Sequence, residues 1–102
     1  MNKYISKSLA QSIHEKAKKK NIQFPMGEHC WVESNKWTLE ESKHGWFNAI
    51  PAFDCIELGE ILPADTKYEG YQVRTHDHLE FANSEPEARG KMLLYLIEND
   101  LL

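Results

Sequence analysis

The residues able to do chemistry are few and lie far apart. His76 and His78 are one residue apart, and His29-Cys30 adds a further nitrogen and a sulfur. Imidazole and thiolate are the donors that tetrahedral zinc takes. On a regular strand, positions 76 and 78 share a face. Asp77 between them favours a turn instead, and no C-x-x-C or H-E-x-x-H spacing accompanies them. The plainer reading makes the two histidines polar turn residues and Cys30 a small core residue. Cys55 follows Asp54 at the start of an expected helix, where the helix dipole lowers a thiol pKa. Against this, free cysteines are usually buried packing residues. The catalytic alternative is thus a metal- or thiol-dependent hydrolase drawing on His29, Cys30, His76 and His78. No G-x-S-x-G elbow is present, and the five glycines are isolated, so no phosphate-cradling loop forms. Glu40-Glu41 and Glu85/Glu87 read as solvated or helix-N-terminal charge. No cofactor is implied.

Charge is uneven along the 102 residues. Residues 1–53 carry a net +3 and residues 54–102 a net −7, giving −4 in all. Lys18, Lys19 and Lys20, with Lys16, form a basic helix end that would face phosphates in a nucleic-acid- or nucleotide-binding module. The acidic half repels such a ligand, which makes this the weaker reading. The same acids, among them Asp54, Glu57, Glu60 and Glu85, would supply the field of a nucleic-acid mimic. Ordinary solubilising charge is the plainer explanation of them.

Trp31, Trp37, Trp46, Phe47 and Phe53 crowd into one stretch. Tryptophans often anchor interfaces. Part of this set is therefore expected at a homodimer or partner surface, with Trp37 and Trp46 as the contact residues. The alternative is that all of them close the core.

The elements that must position these groups are legible. Ser6 caps a helix over 6–20, with Leu9, Ile13 and Ala17 as its apolar stripe, lysines at its end and Asn21 as terminator. Residues 29–48 read as extended, with Ser34-Asn35 as a turn. Asp54 and Glu57 have capping-box spacing for a helix over 54–62 that Pro63 ends. Its apolar face takes Ile56 or Cys55 together with Leu58, Ile61 and Leu62. Residues 70–75 and 78–82 alternate as a hairpin turning at His76-Asp77. Ser84 and Glu87 make a second capping box, opening a largely buried helix over 85–98. The expected fold is α+β in one domain, 1–102: a small antiparallel sheet packed against N-terminal, middle and C-terminal helices. No apolar run is long enough to span a bilayer and no secretory h-region opens the chain, so a cytoplasmic protein with reduced cysteines is expected.

Two segments carry a resemblance: Ile50-Pro51-Ala52-Phe53 followed by Leu58-Gly59-Glu60-Ile61-Leu62-Pro63, and the run Glu87-Ala88-Arg89-Gly90-Lys91-Met92-Leu93-Leu94-Tyr95-Leu96-Ile97-Glu98-Asn99. Over roughly residues 50–102 the chain resembles a group of small bacteriophage and prophage proteins. Gly90 stands where that pattern has alanine. The resemblance implies an accessory or host-interaction role and brings no catalytic residues with it. The expected function is that of a small non-enzymatic protein acting on a protein partner or on itself.

Overall fold

The computed structural model describes residues 3–33, 36–42, 49–75 and 77–102. The order is α1 (Lys7–Lys19), β1 (His29–Glu33), β2 (Trp37–Glu41), β3 (Ile50–Pro51), α2 (Cys55–Ile61), β4 (Lys67–Glu69), β5 (Gln72–Thr75), β6 (His78–Phe81) and α3 (Glu85–Glu98). The fold is α+β. The described strands divide into two antiparallel three-stranded sheets, ordered β2-β1-β3 and β4-β5-β6. The division follows from locality: each hairpin closes on itself, and α2 lies between the two in the chain. β3 and β4 complete the sheets, and both are too short to show an alternation in sequence. Pro51 is tolerated because β3 is an edge strand, where a missing N–H leaves no ladder bond unmade.

The helices form where their caps and apolar stripes place them. Ser6 is extended and its hydroxyl accepts from Leu9 N at 3.3 Å, while Asn21 takes the left-handed conformation at φ 57°. At α2 the capping box is complete. Asp54 Oδ1 accepts from Glu57 N at 2.8 Å, and Glu57 Oε1 accepts from Asp54 N at 3.1 Å.

At α3 the expected box is only half made. Ser84 Oγ accepts from Glu87 N at 3.3 Å, but the Glu87 carboxylate accepts from Ser6 N and from Ser6 Oγ instead. Ser6 is the N-cap of α1, and its third helical residue is Leu9, which has no acceptor to return. Glu87 supplies that acceptor from another helix, tying the two N-termini together.

The core lies where α1, α2 and the β4–β6 sheet meet α3. Leu9, Ile13, Phe53, Leu58, Val73, Met92, Leu93, Leu96 and Ile97 are its buried members. Gly90 permits the close α1–α3 approach. A Cβ there would sit 2.7 Å from Leu9 Cδ2 and 2.8 Å from Ile5 Cγ2. The N-terminal segment is also held by Ile5 N donating to Phe53 O at 3.0 Å and by the Trp31 indole donating to Ile5 O at 3.1 Å.

Candidate binding surface

The residues singled out by type end up apart. His29 and Cys30 lie on β1 and His78 on β6, in different sheets. The Tyr4 hydroxyl is 3.1 Å from His29 Nδ1. Cys30 is fully buried. His78 stacks flat on Tyr95, with centroids 3.5 Å apart, and its Nε2 lies 2.5 Å from Glu80 Oε2. His76 lies outside the described residues. Among those described, no group of three or more His, Cys, Asp or Glu side chains is arranged to hold a metal.

Of the proposed contact residues, Trp37 is half-buried and packs against the core, and Trp46 lies outside the described residues. Lys18 and Lys19 are exposed at the end of α1. Lys20 is engaged, donating to Asp100 Oδ1 at 2.8 Å and to Glu98 O at 3.1 Å. Several acids of the second half are likewise committed inside the fold. Glu57 Oε2 accepts from Glu28 N at 2.8 Å, Glu87 caps α1, and Glu85 Oε1 lies 3.4 Å from Arg89. The acidic field expected from the sequence is therefore partly spent on structure.

The apolar surface left open is made by other residues. At about 100° per residue, a helix that buries Leu58 turns Ile56 roughly 160° away. Ile56 is 74% exposed, which leaves Cys55 on the half-buried side. Beside it Tyr71, in the β4–β5 turn, is 52% exposed. They flank a cleft of about 310 Å³ lined by Lys3, Asp54, Cys55, Ile56, Tyr71, Ser84, Glu85 and Pro86. Its floor is fixed, because Asp54 and Ser84 are the N-caps of α2 and α3. Beneath it Arg89 donates to Cys55 O at 2.8 Å and lies 4.0 Å over the Tyr68 ring. The wall is mostly apolar with carboxylates at the rim, a lining that suits an apolar anchor from a partner. On β6 the side chains that face out are also apolar: Phe81 is 66% and Leu79 39% exposed.

Neither thiol is activated. Burial pushes the Cys55 thiol up, against the pull of Arg89, and the neighbouring Glu85 and Asp54 push the same way as burial. The direction is opposite to the lowering that a helix start by itself would give, with burial the largest cause. Burial raises Cys30 as well, with Glu40 adding to it and Ser42 opposing. Both cysteines are free thiols. Alkylation by iodoacetamide is therefore expected to be slow near neutrality and to accelerate only above the ordinary thiol range. Folding stability should fall over that same alkaline window, because the native thiols hold their protons to higher pH than the unfolded ones. Fast neutral-pH alkylation of native protein would contradict this.

No protein-family model and no solved structure matches the chain. One stretch of 54 residues is 41% identical to part of a protein named pyruvate decarboxylase from Aspergillus terreus (strain NIH 2624 / FGSC A1156). The match covers 48% of this chain and 10% of that protein, so the chain spans about a tenth of the relative's length. No helix among the described residues is long and apolar enough to cross a membrane.

Proposed function

We propose that this chain is a small non-enzymatic accessory protein of the phage and prophage kind that acts by binding a protein partner. The observation that carries this reading is the 74% exposure of Ile56 at the rim of the α2–α3 cleft, with Tyr71 beside it. Large apolar side chains held outward by capped helices and a tight turn lose little freedom on binding, and interface anchors are of this kind. The resemblance of residues 50–102 to phage proteins supplies the accessory role. All of the cleft's lining residues but Lys3 fall within the stretch that carries the resemblance. We place its action in the cytoplasm, a compartment in which unpaired cysteines such as Cys30 and Cys55 persist.

The test is the double variant Ile56→Glu with Tyr71→Ser. Both side chains are exposed, so its stability should stay within about 0.5 kcal/mol of the parent for each change. Binding partners retained from a bacterial host lysate by the parent should no longer be retained by the variant. A parent that retains nothing, or a variant that retains the same partners, defeats the reading.

A further inference from the structure

The two edges of the β4–β5–β6 sheet are treated differently. At β6, the edge carbonyl of Phe81 accepts from the Lys91 ammonium of α3 at 3.4 Å. At β4, Lys67, Tyr68 and Glu69 are all exposed. The backbone parity of that edge follows from its turn. Glu69 and Gln72 flank the Gly70-Tyr71 turn, with Gly70 at φ 61°, as a two-residue hairpin loop with glycine first requires. The residues closing such a loop exchange hydrogen bonds, and the ladder then alternates. Lys67 and Glu69 therefore bond to β5, while the Tyr68 N–H and C=O point away from the sheet. The β5–β6 hairpin agrees: Ala82 N donates to Tyr71 O at 3.3 Å, which places Tyr71 and Val73 on the parity that faces β6. Arg89 over the Tyr68 ring holds the strand in place.

We propose that a second copy of this chain pairs here, antiparallel about a two-fold axis at Tyr68, to make one continuous intermolecular sheet. The charge order identifies the occupant. Read backwards, Lys67-Tyr68-Glu69 becomes its own complement. The two-fold sets Lys67 against Glu69 of the second copy and Glu69 against its Lys67, on the outer face. Tyr68 bonds reciprocally to Tyr68, so the charged pairs are the non-bonded ones, with Cα atoms about 4.5 Å apart. A parallel in-register pairing would oppose like charges, and a one-residue slip would send the side chains to opposite faces. The edge is short and the buried area small, so association is concentration-dependent. The pairing uses the outer edge of β4, whereas the cleft shares only Tyr71 of the β4–β5 turn with this hairpin. Ile56→Glu by itself leaves the edge untouched and keeps the two tests distinguishable.

Sedimentation equilibrium across the micromolar-to-millimolar range tests it. The parent should pass from monomer to dimer. Lys67→Glu alone and Glu69→Lys alone should each weaken dimerisation about tenfold or more, since both cross-strand pairs become repulsive. An equimolar mixture of those two variants should dimerise again, because every acidic position then faces a basic one. The doubly exchanged variant should do the same. A parent that stays monomeric, single variants that dimerise like the parent, or a mixture that fails to recover would each overturn the proposal. Should a single variant lose its native circular dichroism, Tyr68→Pro decides. It removes the outward N–H, which the protein's own hairpin does not use, and Tyr68→Ala is its control, losing the ring under Arg89 but keeping the N–H. Dimerisation that persists in Tyr68→Pro, or that is lost equally in both, would refute the pairing.

Discussion

Replacing Phe53 with alanine is expected to destabilise the fold by about 3–5 kcal/mol, the range for removing a buried aromatic ring. Phe53 is 1% exposed and meets Phe24 edge-to-face, with centroids 6.1 Å apart. Its carbonyl accepts from Ile5 N, and the next residue, Asp54, bridges to Tyr4 and caps α2. The ring thus sits where the N-terminal segment, the 22–26 segment and the start of α2 converge, and collapse around the vacated space would have to move all of them. Small domains have only about 5–15 kcal/mol in total, so a large share is at stake. Urea unfolding followed by circular dichroism measures it. Ile56→Ala is the matched control: an exposed apolar residue three positions on should cost about 0.5 kcal/mol or less. Equal losses from the two would mean that Phe53 is not a core residue.

The second large effect is expected at Gly27. It has φ 80°, where an L residue is strained, and a Cβ there would lie 2.5 Å from Glu57 Oε2. That carboxylate accepts from Glu28 N and Asp54 N, so it pins the loop before β1 to the first turn of α2. Gly27→Ala therefore adds a left-handed penalty of about 1–2 kcal/mol. Displacing the carboxylate from donors it satisfies adds about 1–2 more. The sum is about 2–4 kcal/mol. A double-mutant cycle with Glu57→Ala separates the parts, because only the backbone penalty survives once the carboxylate is gone. Additive losses in that cycle would show that the two residues do not meet. Gly59 carries no such strain; only its packing against Arg89 is close.

Much of the local structure was legible because helix ends are governed by interactions within a few residues. The Ser6, Asp54 and Ser84 caps and the span Glu85–Glu98 follow from side chains that reach three or four positions along the chain. The outward turn of Ile56 was also within reach. Sequence left Ile56 and Cys55 as alternatives for the apolar face, and the helical angle from Leu58 separates them. The strands of β3 and β4 were not readable, since two or three residues with a proline or flanking charges show no period. Of the aromatic residues, Phe53 is a core member, and Trp31 and Trp37 are half-buried and pack against the core. Aromatic content does not distinguish a packed ring from a presented one.

What the sequence by itself determined is the class of the fold, the helix boundaries and the hairpin of β5 and β6, all of them products of local periodicity and capping. The tertiary structure alone decided which side chains stayed outside and where the spare acceptors went. The Glu87 carboxylate leaves its own helix for Ser6, 81 positions away in the chain. Tyr71 and Phe81 remain exposed because α3 and its neighbours already fill the core with Leu58, Val73 and Met92. Among the described residues the sheet ends at β4, which leaves the Tyr68 edge without a paired strand. Burial and edge placement depend on partners distant in sequence, and no short-range pattern encodes them.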